Sequence, residues 1–422
     1  MPSKRVVITG LGMATPIGTG RAEFWASLLA GQSGIAPLSF YPPGSLPVTI
    51  GGEVRNFDPK PHVKQRKSLK IMCRDIQLAV VSADLATQEA RLIEGAVDPE
   101  RFGVDFGAHT MYSELTDLEP AFRGASPAGD FDFKHWGEHG LDALNPLWML
   151  KYLPNMPACH IAIIHDARGP NNSITQNDVS SLLAIAEAVR TIERGWADVM
   201  IAGGTGSRVH PRFLVTSLLT DQVSHRNDRP AEASRPFDAG RDGLVNGEGA
   251  AAFVLEEEGF ARARGAPILA RILGYGAACE PYRRGETPTG IGIRTALAIA
   301  LRDAGITAAD VGHVNAHGAS TVNDDRTEAQ AIRAVLGETP VTAPKSFFGH
   351  LGAGTGAVEL AVSILAVAEG QVPATLNYQT PDAQCPVHVI QGKPLATAKR
   401  VAVSISYNRQ TGQSAAMVVG GP

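Results

Sequence analysis

Short apolar runs alternate with helical runs along most of this 422-residue chain, and this alternation restricts the fold more than any other feature. The strand-like runs lie at residues 6–9, 102–107, 198–204, 268–275 and 313–315, and the helical runs at 21–29, 68–89, 290–304 and 327–336. Residues 31–62 and 113–155 are rich in turn formers and are predicted to be irregular. Continuous apolar strands that alternate with helices predict an α/β fold with buried sheets.

Residues 169–181 are predicted to form the end of a buried strand, a tight turn and the first turn of a helix. The turn is indicated by Gly169-Pro170-Asn171-Asn172, and a strong helical run follows from Leu182. The free N–H groups of a helix N-terminus favour negative charge, so enzymes often place a nucleophile or an anion there. Asp178 is the residue available for such a role, since no Ser or Cys lies at the tip of the turn.

Composition excludes several classes of protein. The formal net charge is −4, so nothing global favours binding to nucleic acid or to an anionic membrane. The four cysteines are far apart and lack metal-ligand spacing, which predicts reduced thiols and no zinc site. No signal peptide and no apolar run of roughly 18–20 residues is evident, so we expect a cytoplasmic protein. The glycine-rich turn at residues 10–12 lacks phosphate-loop spacing, and no cofactor is predicted.

Two histidines in glycine-rich settings are the strongest candidates for chemistry. His317 lies in V-N-A-H-G-A-S-T and His350 in A-P-K-S-F-F-G-H-L-G-A-G, each after an extended segment and before small residues. Two neutral imidazoles that converge there would donate hydrogen bonds to a carbonyl oxygen. Lys345 and Glu328 are predicted to pair behind them and to orient the rings. The alternative is that each histidine is a satisfied structural residue in a buried turn.

Motifs spread over essentially the whole chain resemble the β-ketoacyl-acyl-carrier-protein synthases of fatty acid synthesis and their polyketide relatives. They are R-V-V-I-T-G-L-G at residues 5–12, L-P-N-M at 153–156, G-P-N at 169–171, A-D-V-M-I-A-G-G at 197–204, R-P-F-D-A-G-R-D-G-L-V-N-G-E-G at 235–249, and the two histidine motifs. The resemblance implies a thiolase-like five-layer α-β-α-β-α fold of two similar halves, residues 1–260 and 261–422. It also implies a dimer and an acyl carrier protein as partner.

The same resemblance implies roles for individual residues. In the family a cysteine at the N-terminus of a buried helix carries the acyl chain, and two histidines stabilise the enolate formed when a malonyl thioester loses its carboxylate. His317 and His350 match those histidines, with Lys345 and Glu328 in supporting roles. Contacts with substrate are expected from Phe348, Thr321 and Arg409.

Two positions depart from the family pattern. Asp178 falls at the position of the nucleophilic cysteine, and a carboxylate is a poor acyl acceptor because a mixed anhydride lies uphill of a thioester. Arg409, in I-S-Y-N-R-Q-T-G-Q, falls on the aromatic residue that gates the acyl pocket. We therefore hypothesise an ion pair between Asp178 and Arg409. The alternative is that Arg409 faces solvent and that Asp178 caps its helix.

Several functions stay open at this point. The retained histidines favour decarboxylation of a malonyl group on a carrier protein, with an Asp178 carboxylate that would repel the substrate unless Arg409 neutralised it. A second reading is a non-catalytic partner, like the chain-length factors that pair with a cysteine-bearing ketosynthase, so that the dimer would be a heterodimer rather than a homodimer. A third makes Asp178 a general base on an acyl thioester. Ordinary condensation needs another group to carry the acyl chain.

A basic cluster is the candidate docking surface for an acidic carrier protein. It comprises Lys64, Arg66, Lys67 and Lys70, at the start of the helix predicted over residues 68–89. The alternative is a solvated helix face, which is the common location of a charge run. Arg208 and Arg212 are weaker candidates for the same role.

Overall fold

The computed structural model describes residues 4–42, 44–93, 95–281, 286 and 288–422. Its core is a twelve-stranded mixed sheet that divides into two sections, and the sections have the same internal strand order. In spatial order, the first section contains Asn171–Ile174, Phe102–Gly107, Val199–Ser207, Glu248–Glu257 and Val6–Thr15. The second contains Pro340–Thr342, His313–Asn315, Val401–Asn408, Gln413–Gly420 and Ala270–Cys279.

When the five strands of a section are numbered by their order along the chain, they lie side by side in the order 3-2-4-5-1 in both sections. Strands 3, 2 and 4 are parallel to one another, and strands 5 and 1 each run antiparallel to the strand before them in this order. The sections meet where Val6–Thr15 pairs with Ala270–Cys279 through Val7↔Arg271 and Ile8↔Ala270 alone. The predicted construction from two similar halves is confirmed at the level of topology.

Helices complete the five layers. Ser180–Glu193 and Thr355–Glu369 lie between the two sections and contribute to one hydrophobic cluster with strands of both. Arg74–Glu89 and Met156–His165 cover the outer face of the first section, and Ile291–Ala304 and Val322–Leu336 cover that of the second. The α-β-α-β-α prediction is confirmed. Thr355–Glu369 is apolar almost all round, as a helix must be when sheets cover both of its sides.

The segment Gly352–Glu369 is long and apolar enough by composition to cross a membrane, so the expectation that no run of this length is present was wrong. In the structure 89% of it is buried at the centre of the fold, so its apolarity has a packing explanation.

The remaining elements are short. The other helices are Arg21–Leu29, Leu115–Gly124, Phe133–His135, Pro211–Thr220, Glu258–Ala263 and Lys345–Phe348. The other strands are Gly18–Thr19, Ile35–Pro37, Ile50–Gly52, Gln371–Val372, His388–Val389 and Leu395–Ala396. Arg21–Leu29 and Phe102–Gly107 have the predicted bounds. The helix predicted from residue 68 begins instead at Arg74, after the 3-10 segment Arg66–Ile71.

The strand before the central helix differs from its prediction. Asn171–Ile174 begins inside the predicted turn, and it is an edge strand whose residues are exposed or half-buried, not buried. Its polar sequence explains the difference, because Asn-Asn-Ser gives no apolar side chain to a second layer and suits the edge of a sheet.

Candidate active site

A cavity of about 940 Å³ opens where strands of both halves reach their carboxyl ends. Ligand sites of open α/β sheets concentrate at such ends, because the loops that leave them are free to carry polar side chains. The lining includes Asp178 and Arg208 from the first half and His317, His350 and Arg409 from the second. No cysteine is present among the described residues that line it.

Asp178 lies in a tight turn directly before the central helix Ser180–Glu193, whereas the sequence predicted the tight turn at residues 169–172. The turn Asn177–Val179 is a single 3-10 turn, and Asn177 has the left-handed φ of 48° that asparagine tolerates better than most residues. The Ser180 hydroxyl accepts from the Gln176 N–H at 2.8 Å and donates to the Asn177 carbonyl at 2.6 Å. These two bonds close the turn and direct the Asp178 side chain into the cavity.

The structure brings His317 and His350 together, with ring centroids 5.5 Å apart and planes at 80°. The Nδ1 atom of His317 lies 3.2 Å from the Lys345 Nζ, which can only donate, and the Nδ1 atom of His350 accepts from the Gly352 N–H at 3.1 Å. Both Nδ1 atoms are therefore acceptors, so each neutral ring carries its hydrogen on Nε2. Burial lowers the pKa of both imidazoles well below the usual value, with Lys345 and Arg208 adding repulsion, so both rings are neutral.

The partner of Lys345 is Glu359, not the predicted Glu328. The Lys345 Nζ lies 2.7 Å from the Glu359 Oε1 and also donates to the His317 carbonyl. Both side chains are almost fully buried, so each needs the other for charge compensation. Burial raises the pKa of Glu359, and the attraction of Lys345 opposes that rise.

Glu328 supports His317 through the backbone instead. Its two carboxylate oxygens accept from the N–H groups of His317 and Gly318 at 2.6 and 2.7 Å. Burial raises the pKa of Glu328 to about 7, although both backbone donors favour the ionised form. The residue was identified from the sequence, but its contact was assigned wrongly.

The hypothesised ion pair between Asp178 and Arg409 is wrong. Arg409 is 46% exposed at the mouth of the cavity, where its Nε lies 3.3 Å from Asp324. The Asp178 Oδ1 lies 3.5 Å from the His350 Nε2 and 4.0 Å from an Arg208 nitrogen, while its Oδ2 accepts from the Asn408 Nδ2 at 3.1 Å. Asp324 is the nearer carboxylate for Arg409, because the strand Val401–Asn408 ends just before it and the side chain points outward.

Arg208, which the sequence suggested only as a weaker docking candidate, is the buried cation of the site. It follows the buried strand Val199–Ser207 and is itself buried, so it is not an exposed docking residue. Its guanidinium donates to Asp221 at 2.7 Å and to the Asn246 Oδ1 at 2.9 Å, and it lies over the Phe213 ring. An arginine directly after a strand that begins with a continuous apolar run was the available signal, since such a strand is buried and ends inside the fold.

Asp178, His317 and His350 each offer an atom within 4.8 Å of the others, which is metal-ligand spacing. The hydrogen bonds argue against a metal ion. Coordination through Nε2 needs an unprotonated Nε2, whereas Lys345 and Gly352 already donate to both Nδ1 atoms. The nearby Arg208 guanidinium would also repel a cation. The arrangement suits an oxygen that accepts from two N–H groups.

The other predicted residues divide between the cavity and the core. Thr321 lines the cavity and caps the helix Val322–Leu336 by accepting from the Asp324 N–H. Phe348 is fully buried in the central hydrophobic cluster and is not among the lining residues, so a direct contact with substrate is not supported. His109, which the sequence did not single out, lines the cavity against Phe213.

Comparison with known proteins places this geometry in context. The family model for the β-ketoacyl synthase N-terminal domain matches residues 3–261, and the model for the C-terminal domain matches residues 269–379. The 3-oxoacyl-[acyl-carrier-protein] synthase 2 of Synechocystis sp. is 34% identical over 96% of this chain and 96% of its own. A putative polyketide β-ketoacyl synthase 1 of Streptomyces cyaneus is 36% identical over 91% of this chain and 90% of its own. The solved ishigamide ketosynthase/chain length factor superposes with a TM-score of 0.83 at 29% identity, covering 100% of both chains.

Proposed function

We infer the activity from two premises: the chain belongs to the β-ketoacyl synthase family, and its two cavity histidines present Nε2–H donors side by side. We propose that the protein decarboxylates a malonyl thioester carried by an acyl carrier protein. Asp178, in place of a thiol at the turn before the central helix, is a poor acceptor of an acyl group. Ordinary condensation is therefore disfavoured, while decarboxylation needs no covalent acyl-enzyme.

The histidine pair is the observation that carries this proposal. Loss of carbon dioxide moves an electron pair from the C–C bond onto the thioester carbonyl oxygen. Two neutral N–H donors fixed by Lys345 and Gly352 stabilise that developing charge without reorganising. Arg208, rather than Arg409, is the buried cation beside Asp178, and it reduces the repulsion between Asp178 and the substrate carboxylate.

Intact-mass spectrometry of the carrier protein tests the activity. Malonyl-carrier protein incubated with the wild type should lose the mass of carbon dioxide. His317→Ala and His350→Ala should each slow this loss about 100-fold, as removal of one oxyanion donor does elsewhere. His225→Ala, at an exposed histidine, is the matched control and should retain the wild-type rate. An unchanged carrier protein with the wild type would end the proposal.

Docking of the carrier protein is assigned to the basic cluster. All four of its residues are exposed beside the 3-10 segment Arg66–Ile71: Lys64, Arg66, Lys67 and Lys70. Lys67→Glu should raise the KM for malonyl-carrier protein several-fold and leave turnover of a small malonyl thioester unchanged. Lys393→Glu, which reverses an equally exposed charge in the second half, is the control.

A second candidate function is that of a chain-length-factor-like partner for a cysteine-bearing ketosynthase. Exposed apolar side chains favour it, since Leu115 is 68% and Phe133 is 81% exposed in the segment between strands Phe102–Gly107 and Asn171–Ile174. Exposed apolar side chains suit a subunit interface. Co-expression with such a synthase, followed by size-exclusion chromatography, should give a stable heterodimer under this reading. A homodimer that decarboxylates alone would exclude it.

A further inference from the structure

The carboxyl of Asp178 and the Nε2–H of His350 converge on one point of the cavity, 3.5 Å apart. If a thioester oxygen accepts from that N–H, its α-carbon lies about 2.4 Å from the oxygen by standard bond lengths. A carboxyl beside the same N–H is therefore within reach of the α-carbon. We propose that Asp178 is the acid that protonates the α-carbon of the enolate, converting it into the acetyl thioester. This inference rests on the proposed decarboxylation.

The contacts of Asp178 leave one oxygen for this task. Its Oδ2 accepts from the Asn408 Nδ2 at 3.1 Å. The orientation of the Asn408 amide is fixed, because its Oδ1 accepts from both the N–H and the hydroxyl of Thr411 at 3.0 Å. Oδ1, which faces His350, is the oxygen that carries and delivers the proton.

The step balances without another reactant. The bond between the α-carbon and the substrate carboxylate breaks, carbon dioxide leaves, and the electron pair moves onto the oxygen held by His317 and His350. The pair then returns to form a C–H bond with the Asp178 proton, so the carboxyl becomes a carboxylate. Solvent restores the proton, since 13% of the Asp178 side chain is exposed in the open cavity.

The surroundings keep a fraction of Asp178 protonated near neutrality. Burial raises its pKa to about 6, and Arg208 is the strongest of the groups that oppose the rise. The ionisable groups that face it from neighbouring elements are Arg208, Asp221, His317, Lys345, His350 and Glu359. Both histidines stay neutral because burial lowers their pKa. The protonated fraction of Asp178 therefore falls about tenfold for each pH unit above 6.

The test compares acetyl-thioester formation by the wild type and Asp178→Asn between pH 5 and 8, in single turnover with a malonyl thioester. The wild-type rate should fall with rising pH above about 6. Asp178→Asn keeps the size and the hydrogen-bonding capacity of the side chain but has no acidic proton. The rate of Asp178→Asn should be independent of pH, and at pH 5.5 it should be roughly 100-fold lower than that of the wild type. Asp178→Ser replaces it if thermal unfolding shows that the asparagine variant is not folded.

The outcomes separate the two proposals. A variant that is slower at pH 5.5 and independent of pH supports proton delivery by Asp178. A variant that keeps the wild-type pH dependence overturns it, whatever its rate. A pH-independent variant as fast as the wild type or faster also overturns it, since Asp178 would then only obstruct the substrate. Absence of carbon dioxide from the wild type at every pH would refute the decarboxylation itself.

Discussion

At the scale of single residues, the direction of the hydrogen bonds determines what the cavity does. His317 carries its hydrogen on Nε2 because Lys345 donates to its Nδ1. His350 does the same because the Gly352 N–H donates to the Nδ1 of that ring. Gly352 is two residues from His350 in sequence, whereas Lys345 is 28 residues from His317. The two rings themselves were predictable from their glycine-rich motifs, V-N-A-H-G-A-S-T and K-S-F-F-G-H-L-G.

Long-range partners were not predictable in the same way. Glu359 lies in an apolar helix and pairs with Lys345, while Glu328, which looked like the partner, binds backbone N–H groups. Arg208 contacts Asp178 across the sheet, and Arg409 contacts Asp324. Such pairings depend on how helices are rotated and docked, and no local pattern encodes that rotation. Sequence reasoning therefore identified most of the site residues but mispaired their charges.

We expect Lys345→Met to lower the free energy of unfolding by roughly 3 kcal/mol, because it leaves the Glu359 carboxylate buried without a partner. Decarboxylation should also be lost, since His317 loses the donor that fixes its tautomer. Urea denaturation and the mass assay measure the two effects. The double variant Lys345→Met with Glu359→Leu should recover much of the stability, because no unpaired carboxylate stays buried, but it should not recover the activity. Lys393→Met, at an exposed lysine, is the control, and an equal loss in both lysine variants would contradict the argument.

At the scale of elements, the turn before the central helix contains Asn177 with a left-handed φ and is closed by the hydroxyl of Ser180, the first residue of the helix. Ser180→Ala removes both side-chain bonds that close the turn around Asn177. We expect about 1 kcal/mol of lost stability in urea denaturation, the usual net contribution of a hydrogen bond, and a lower decarboxylation rate because Asp178 shifts. Ser45→Ala, at an exposed serine, should change neither. Unchanged stability in Ser180→Ala would show that the turn is held by packing alone.

The strand Phe102–Gly107 carries a buried carboxyl, that of Asp105, whose pKa rises when the protein folds. Asp105 is 1% exposed, its Oδ1 has no hydrogen-bond partner, and burial raises its pKa from 3.8 to about 8. Because the folded-state pKa is raised, the stability that the protonated carboxyl contributes is complete below pH 3.8 and is lost as the pH rises toward 8. Relative to Asp105→Asn, the wild type should lose roughly 3 kcal/mol between pH 5 and 8. Urea denaturation at several pH values measures this difference, and a constant offset would contradict it.

At the scale of the whole molecule, the two halves have the same strand order, although their sequences show no evident residue-level repeat. The α/β class and the five layers were predictable, because alternating runs restrict topology strongly and the motifs cover the whole chain. The edge position of the strand Asn171–Ile174 was not predictable from the sequence, since it depends on which strands lie beside it in the sheet.

That exposed edge leads to a prediction about assembly. Carbonyls of Pro170 and Ile174 accept from the strand Phe102–Gly107 and from Ala108, so the intervening Asn171 directs its N–H outward. We expect a dimer that pairs these edges, and Asn171→Pro should make it a monomer without reducing the inner pairing. Light scattering after size-exclusion chromatography measures the mass. A monomeric wild type, or a variant that stays dimeric, would contradict edge pairing.

The narrow seam between the two sections has a consequence for how such a chain can change over time. The donating histidines and Lys345 come from one half, and Asp178 and Arg208 from the other, so neither half holds a complete reaction centre. A substitution at the cavity in one half can therefore change the chemistry of the shared site while the other half keeps its own residues. Under the proposed function, the carboxyl at residue 178 is such a difference, and both sections keep the same strand order around it.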